Sequence, residues 1–445
     1  MMASDWLPQF LRVHLAKRDT LRRALDNSFW LFCEQLLRMG MNLAVGVWMA
    51  RYLGPGAFGV LSYALAVVAV VGASVSLGLN AIVVREAARS SERAPAWLGT
   101  AFVIRLLGAM AGVLICVAVA GAQSPAGPHA RGVILIVTGS LAFQVFEVFD
   151  LQFQAAGVAR VSAWVRMAAC LLTNGLKAAL ILGHASIVAF ALTVTVEAAL
   201  TAIGWLCAAI ARGWRIKRWH YERTLATTLL RESWPLALSS LAVYVQAYAD
   251  QVMLGALLGV RDLGQYAAAM RLIGAFAFVP MVIQTVAAPE IAQAKHADEH
   301  LYWRRLHGLY RLMSGLFLCT ALPLVFLGPM VVRLFYGAAY AGAAALLPWL
   351  ALRLFFTNFG VARSLFITNE SLFRFALVTS VVGAAANLAL NFFLIPRWGA
   401  LGAVVSSLIS FAVTIFILEW MQPKARKNLR LMVSAALLPW RRLNA

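Results

Sequence analysis

Long apolar runs alternate with short polar or glycine-rich breaks along the chain. A helix needs about 20 consecutive apolar residues to cross a bilayer. Because the runs are continuous, they do not fit a membrane β-barrel, whose strands alternate in polarity over about ten residues. The pattern predicts an all-α polytopic membrane protein with about twelve transmembrane helices. The predicted spans are 28–50, 57–80, 97–121, 132–153, 162–183, 185–211, 234–258, 264–288, 306–328, 345–367, 373–395 and 399–421.

One of these breaks, residues 51–59, occurs twice. Gly54, Pro55, Gly56 and Gly59 cannot continue a helix, so the stretch predicts a tight connection between the first two spans. A shift of 205 positions aligns nine identical residues over positions 28–64 and places Gly54 on Gly259 and Gly59 on Gly264. The coincidence of both glycines indicates two similar halves, each opened by this connection.

Composition and charge agree with a membrane protein. The chain of 445 residues is 62% hydrophobic and only 13% charged, and its mean hydropathy is +0.80. A net charge of +20 in a soluble protein would suggest a nucleic-acid partner. Here 26 Lys and Arg residues fall on one set of alternate loops and five on the other. The positive-inside rule then places both termini in the cytoplasm, and no nucleic-acid partner is expected.

The predicted spans and charges divide the chain into five segments. They are a basic amphipathic cytoplasmic segment 1–27, an N-terminal six-helix lobe 28–211, a basic linker 212–233, a C-terminal six-helix lobe 234–421 and a basic tail 422–445. Six spans per lobe give both lobes the same membrane orientation, so they are predicted parallel repeats. The linker mixes arginines with aromatic residues, a composition that favours contact with anionic membrane lipids.

No motif points to an enzyme, a cofactor or a metal. Residues 54–59 match GxGxxG formally, but the dinucleotide fingerprint needs a preceding strand and a soluble βαβ unit. The five cysteines lie inside apolar spans without a CxxC spacing and are expected to be core residues.

Arg311 and Arg374 lie at the cytoplasmic beginnings of their spans and are counted with the loops. Seven other cations lie inside the predicted spans, where each is costly unless it faces water or an anion. Three lie near span ends: Arg166 and Arg363 are expected to snorkel, and Lys177 to reach the outer face. The deeper four are predicted either to line a wet cavity or to form structural ion pairs, and they are Arg38, Arg105, Arg271 and Arg353.

Acidic residues suggest partners for some of these cations. Glu34 and Arg38 are four residues apart and share a helix face. Asp250 and Arg271 lie at similar distances from the second glycine break, which predicts a salt bridge between spans 7 and 8. The pair is either a structural clamp or a switch that opens when Asp250 is protonated or an anion competes for Arg271.

Polar side chains on two other spans suit a sugar. Gln144, Glu147 and Gln154 share a face of span 4, and aromatic residues border that face. Asn387 and Asn391 are four residues apart on span 11. Amides and carboxylates beside rings suit a glycan, while hydrogen bonding between helices explains the same residues nearly as well.

Several short motifs resemble polysaccharide flippases of the Wzx type, the polysaccharide-transport branch of the multidrug/oligosaccharidyl-lipid/polysaccharide exporters. The likeness covers about residues 27–420. The residues that carry it are Asn27-Ser28, Arg51-Tyr52-Leu53-Gly54-Pro55, Phe58-Gly59, Ser233-Trp234-Pro235-Leu236, Asp250, Met253-Leu254, Gly264-Gln265-Tyr266, Arg271-Leu272, Pro280 and Pro289-Glu290.

The resemblance implies a V-shaped, alternating-access transporter in the bacterial inner membrane. Its cargo would be an undecaprenyl-diphosphate-linked oligosaccharide for exopolysaccharide, capsule or O-antigen assembly. The diphosphate would bind the four deep arginines, because guanidinium groups bind phosphate oxygens bidentately. The glycan would meet the polar residues of spans 4 and 11. Coupling to protons or sodium would use Glu34, Asp250 or Glu197, or else Glu147, and no other cofactor is implied. A polysaccharide polymerase and chain-length proteins are the candidate protein partners.

Three alternatives fit parts of the pattern. A cation-coupled multidrug exporter of the same fold would need acidic cavity residues and apolar walls, whereas deep cations are at least as frequent here as deep acids. A scaffold of a polysaccharide assembly complex would use the basic faces for docking but would not need buried charge. A lipid II flippase usually has two further spans, for which no room remains after residue 421.

Overall fold

The computed structural model describes residues 19–76, 78–90, 92–122, 128–214 and 216–437. Helix is the only regular structure in these ranges, which confirms the all-α prediction. Residues 1–18 of the predicted basic segment and residues 438–445 of the predicted tail lie outside the described residues.

Each predicted span corresponds to helix in the structure. The first two spans share one long helix, and several later spans consist of two helices. The N-terminal half contains α1 Asp19–Ser76, α2 Asn80–Arg89, α3 Ala94–Gly121, α4 Pro128–Gln144, α5 Glu147–Ala155, α6 Ala159–Leu182 and α7 Ile187–Ala211. The C-terminal half contains α8 Arg223–Leu257, α9 Val260–Phe276, α10 Phe278–Ala297, α11 Glu299–Tyr336, α12 Ala341–Ala351, α13 Arg353–Asn369, α14 Phe373–Trp398, α15 Ala400–Ala412, α16 Leu418–Met421 and α17 Arg426–Leu437. Short 3₁₀ turns occur at Ile216–Arg218 and Ala338–Tyr340, and a π-helical turn occurs at Val413–Ile417.

Nine helical segments of the described chain are long and apolar enough to cross a membrane, or ten if the bent pair Ala338–Ala351 and Arg353–Asn369 forms one span. One of them, Glu34–Arg89, has 56 residues. At about 1.5 Å per residue it is more than twice as long as the hydrocarbon core is thick, so it accounts for two crossings. Helix α8 carries Asp250 and is not among the apolar segments. Counting Glu34–Arg89 as two crossings and adding α8 raises the ten apolar segments to the twelve predicted spans.

Both glycine breaks are present. Inside α1, Gly54 has φ 69° and ψ 169°, and the helix resumes at Pro55. Gly259 has φ 99° and ψ 172° immediately before α9. A residue with a side chain rarely adopts either conformation. The predicted connection is therefore confirmed in both halves, although each is confined to one or two residues.

The chain forms two compact units. The first contains the described residues of 1–49, 71–122 and 131–237, and the second those of 50–70, 123–130 and 238–445. Residues 50–70, predicted to belong to the N-terminal lobe, thus group with the C-terminal half. The limits of the two lobes stay a prediction. Helices α2, α3 and α5 enclose the core of the first unit, and α10, α11, α13 and α17 enclose that of the second.

Reciprocal glycine contacts explain why residues 50–70 belong to the second unit. A Cβ on Gly59 would overlap the carbonyl oxygen of Val260, and a Cβ on Gly264 would overlap that of Pro55. Under the shift of 205, Gly59 corresponds to Gly264 and Pro55 to Val260. The two repeats therefore touch through equivalent residues, as copies related by a two-fold axis do.

Candidate functional site

Six of the seven span cations form an ion pair with a carboxylate. The pairs are Arg38–Glu34 at 3.1 Å, Arg105–Glu147 at 2.9 Å, Arg166–Asp150 at 3.2 Å, Lys177–Glu197 at 3.2 Å, Arg353–Asp250 at 3.4 Å and Arg363–Glu419 at 2.5 Å. Arg166 and Arg363, predicted to snorkel, are thus held by carboxylates. Of these seven cations, Arg271 alone has no ion pair with a described carboxylate. The described helices therefore neutralise the charge of six of these seven cations with their own carboxylates.

Two of these carboxylates, Asp250 of α8 and Glu419 of α16, are 0% exposed, and Asp250 has the larger set of donors. Asn387 and Asn391 of α14 donate to its Oδ1 at 3.1 and 2.8 Å. The hydroxyl of Tyr266 on α9 donates to Oδ2 at 2.8 Å, and the hydroxyl of Ser407 on α15 donates to the same oxygen. Side chains from three other helices thus converge on one buried carboxylate and donate to both of its oxygens.

Arg353 supplies the positive charge of this cluster. Its side chain at the start of α13 is 9% exposed, and its NH1 lies 3.4 Å from Asp250 Oδ2. The same nitrogen lies 3.5 Å from the oxygen of Ser407, and the guanidinium lies 5.2 Å from the centre of the Phe411 ring. Asp250 is the only carboxylate within reach of this guanidinium among the side chains that the structure describes. We call Asp250, Tyr266, Arg353, Asn387, Asn391 and Ser407 the Asp250 cluster.

The predicted salt bridge between Asp250 and Arg271 is wrong, and the length of the connection explains why. The prediction counted depth from Gly264, whereas α9 already begins at Val260. Arg271 is therefore farther from the glycine break than Asp250 is. Tyr266 is the residue of α9 at the matching depth, and it forms the bond.

Arg271 lies instead among aromatic rings of the second unit. Its guanidinium lies 5.3 Å from the centre of the Phe58 ring, and its NH1 is buried without a hydrogen-bond partner. Phe58 contacts the ring of Tyr340 edge-on, and Tyr340 contacts Tyr336. Both tyrosine hydroxyls already donate to backbone carbonyls. The aromatic faces attract the cation but leave its charge without a counter-ion.

In the first unit, Arg105 is a buried clamp between helices. Its side chain is 0% exposed. The NH1 group donates to Glu147 Oε2 at 2.9 Å and to the backbone oxygen of Gln144 at 3.3 Å, and NH2 donates to Asn80. Gln144 and Glu147 lie on either side of the turn between α4 and α5. The Oε1 atom of Gln144 is buried without a partner, and the Glu147 side chain is 36% exposed.

Arg38 belongs to a second polar group of this unit and is its most exposed guanidinium, at 37%. The predicted contact with Glu34 is confirmed, and Arg166 lies 3.5 Å from the same carboxylate oxygen. Asp150 pairs with Arg166 and also accepts a bond of 3.0 Å from Gln154. Glu34 and Asp150 thus hold two guanidinium groups between them.

The structure brings together four residues that the sequence assigned to three different roles. Arg353 was predicted to bind phosphate, Asn387 and Asn391 to bind sugar, and Asp250 to couple transport to an ion. Their contacts make them one cluster. Two further members were missed: Tyr266 of α9, and Ser407 of α15. The signal for Ser407 was present, because three serines interrupt the otherwise apolar α15.

Solved structures share this fold. A lipid II flippase MurJ in an inward closed conformation matches with a TM-score of 0.71, at 13% identity over 93% of this chain and 91% of the other. A multidrug resistance transporter of the MATE family and MOP superfamily, inward-facing, matches with a TM-score of 0.64, at 15% identity over 89% and 96%. A MOP superfamily transporter from Pyrococcus furiosus, described as having a binding pocket of reverse polarity, matches with 0.60, at 15% identity over 93% and 96%. At these identities the likeness concerns the fold alone.

No curated protein sequence matches the chain significantly. A family match nevertheless covers more than half of it. Residues 24–295 match the family described as polysaccharide biosynthesis protein. The match begins before the first predicted span and includes both glycine breaks, Asp250 and Arg271. The chain therefore belongs to this polysaccharide biosynthesis protein family.

Proposed function

We propose that the protein is a flippase that moves an undecaprenyl-diphosphate-linked oligosaccharide from the cytoplasmic to the periplasmic face of the bacterial inner membrane. The observation that carries the proposal is the unpaired charge of Arg271. In the described spans each carboxylate outside residues 19–33 has a cation, whereas this cation has no carboxylate. The charge left over is therefore positive, and it calls for an anionic cargo.

Arg271 is the proposed primary ligand of the diphosphate. A buried guanidinium without a counter-ion is destabilising, so an anion that reaches it gains the charge-assisted hydrogen bonds that the protein does not supply. The ring of Phe58 supports one face of the guanidinium and leaves its N–H groups free to donate. Arg38 is a further proposed phosphate contact, since its side chain is 37% exposed. Arg105 and Arg353 are occupied by Glu147 and Asp250, and we propose structural and coupling roles for them.

The glycan contacts are proposed on the first unit. Glu147 is half-buried and Gln154 is exposed, and the Oε1 of Gln144 lacks a partner. The oxygens of Glu147 and Gln154 can accept from sugar hydroxyls, whereas the buried Oε1 of Gln144 can do so only after a movement that opens it. Asn387 and Asn391 are 0% exposed and donate to Asp250, so we propose that they position that carboxylate instead of binding sugar.

Asp250 is the proposed coupling residue, with a proton as the coupling ion. Each of its five polar neighbours donates an N–H or O–H group, and Arg353 already balances its charge. A sodium ion would need oxygen ligands and would add a second positive charge beside one carboxylate. Protonation would instead remove the attraction for Arg353 and free that guanidinium, which gives the cluster two states. Glu34 and Glu197 are paired as well, but Asp250 is the one with donors on both oxygens from four helices.

A set of Arg271 variants tests the cargo proposal. Arg271→Gln removes the charge, Arg271→Lys keeps it but loses the bidentate geometry, and Arg397→Gln removes an exposed cation as the control. We expect Arg271→Gln to lower export of lipid-linked oligosaccharide by on the order of tenfold to a hundredfold, the worth of one charged hydrogen-bond pair. Lysine should restore part of the export, and the control should match wild type. Immunoblots of membranes measure whether each variant is present at the wild-type amount.

Normal export by Arg271→Gln would contradict the proposal. A rise in sensitivity to cationic drugs, with export intact, would instead favour a multidrug exporter of the same fold. The paired state of the span carboxylates argues against that function, because a cationic drug needs an acidic group that is free to receive it.

A further inference from the structure

The basic linker folds back onto an aromatic group of the first unit. Trp219 lies with its ring centre 4.9 Å from that of Phe149 and 6.0 Å from that of Phe102. The backbone of His220 passes so close to Gly99 that a Cβ there would overlap it. The amide of Glu222 donates to the hydroxyl of Thr100 at 3.1 Å. The linker is therefore fixed against the beginning of α3 by packing and by a backbone hydrogen bond.

A pocket of about 300 Å³ remains beneath this linker. Its walls are mostly apolar and aromatic, and they include Phe102, Phe146, Phe149, Leu206, Trp219 and Tyr221. That volume is at the lower end of the range of ligand sites. A cavity of this size with apolar and aromatic walls is suited to a hydrocarbon ligand.

The pocket lies near the ends of the helices that line it. Gly99 and Phe102 are within nine residues of the start of α3 at Ala94, and Leu206 is five residues before the end of α7 at Ala211. At about 1.5 Å per residue, these positions are roughly 7–13 Å from the helix ends. That is the depth at which lipid headgroups give way to acyl chains.

The linker carries cations on both sides, in sequence, of the pocket residues Trp219, His220 and Tyr221. The side chains of Arg212, Lys217, Arg218 and Arg223 are exposed. None of them forms an ion pair with a side chain that the structure describes, whereas the nearby Glu222 accepts from Thr224. Four unpaired cations on the segment that covers an aromatic pocket match a ligand with an anionic head and an apolar chain.

We propose that this pocket is a binding site for an anionic phospholipid of the cytoplasmic leaflet. One acyl chain occupies the aromatic pocket, and the phosphate contacts Lys217 and Arg218. The linker joins the two predicted lobes, so a bound lipid would attach this joint to the membrane surface. The proposal is independent of the cargo, because it involves neither Arg271 nor the Asp250 cluster.

Native mass spectrometry of the full-length protein tests the site with phosphatidylglycerol and phosphatidylcholine as probes. Lys217→Gln/Arg218→Gln removes two rim cations, and Lys424→Gln/Arg430→Gln removes two exposed cations elsewhere. Leu206→Trp fills the pocket, and Leu206→Met keeps its size. We expect wild type to retain one phosphatidylglycerol in preference to phosphatidylcholine. The rim variant should bind it on the order of thirtyfold more weakly, while the control pair should not differ from wild type.

Leu206→Trp should lose the lipid whatever its headgroup, and Leu206→Met should retain it. Equal retention of both lipids, an equal loss in the control pair, or retention by Leu206→Trp would overturn the proposal. A polyprenyl phosphate that displaces phosphatidylglycerol from wild type, and is itself lost from Leu206→Trp, would also overturn it by assigning the pocket to an isoprenoid chain. Thermal unfolding of each variant in the same detergent confirms that the pocket is compared between folded proteins.

Discussion

Asp250→Asn should destabilise the protein more than Arg353→Gln, although both changes break the same ion pair. The reason is the unequal number of neighbours. Without Arg353, the carboxylate of Asp250 still accepts from four neutral donors. Without the carboxylate, Arg353 keeps a hydroxyl at 3.5 Å and the Phe411 ring, and its charge is left buried. Leaving one partner of a buried pair uncompensated is worth about 3–5 kcal/mol.

We therefore expect Asp250→Asn to lose about 3–5 kcal/mol of stability, and Arg353→Gln about 1–3 kcal/mol, the range for buried hydrogen-bonding groups left unsatisfied. The double variant Asp250→Asn/Arg353→Gln contains no buried charge at this position, so it should be more stable than Asp250→Asn alone. Thermal unfolding in one detergent, with all three variants and wild type, measures the order. If Asp250→Asn were as stable as Arg353→Gln, or if the second change gave no recovery, the charge balance of the cluster would not be what holds it together.

Two further predictions concern packing and a second buried pair. Gly59→Ala should destabilise the protein by about 1–3 kcal/mol, because the added Cβ overlaps the carbonyl oxygen of Val260 in the other repeat. Gly274→Ala, which has open space on its helix, should be neutral or slightly stabilising. Thermal unfolding compares the two variants, and equal effects would contradict the close contact. Glu419→Gln should lower stability by about 3–5 kcal/mol, since Arg363 would then be left without its carboxylate. The loss should be smaller in the double variant Glu419→Gln/Arg363→Gln. A larger loss in the double variant would contradict the proposed charge pairing.

Local rules predicted the parts of the structure that depend on neighbouring residues. The conformations of Gly54 and Gly259 follow from the residue type, and the contact between Glu34 and Arg38 follows from the helical repeat. The span cations were identified correctly as the residues that need an explanation. Identifying them required only the free-energy cost of placing a charge in an apolar membrane span.

Contacts between helices could not be derived in the same way. A change of a few residues in the length of a connection alters both the depth and the facing direction of each residue after it, because each residue turns a helix by about 100°. The prediction allowed five residues, 259–263, for the second connection, and this moved the predicted partner of Asp250 from Tyr266 to Arg271. The reciprocal contacts of Gly59 and Gly264 likewise cannot be predicted from the sequence of one repeat. They appear only when the two copies are placed together.

The roles proposed for the Asp250 cluster also depend on this geometry. Asn387 and Asn391 share a helix face, as their spacing requires, but spacing does not tell which partner that face meets. In the structure the partner is a carboxylate, and the amides complete its set of donors. A sugar-binding role inferred from residue type alone therefore becomes a positioning role when the neighbouring helices are known.

The most direct test of the proposed function is the fate of lipid-linked oligosaccharides in cells that lack the protein. Membranes would be fractionated, and undecaprenyl-diphosphate glycans measured on each face of the inner membrane, with the wild-type gene and the Arg271→Gln variant returned in parallel. We predict that complete repeat units accumulate on the cytoplasmic face, that surface polysaccharide disappears, and that only the wild-type gene restores it. Surface polysaccharide at the normal level in the deletion strain, with no accumulation of lipid-linked glycan, would contradict the proposal that this protein is the flippase.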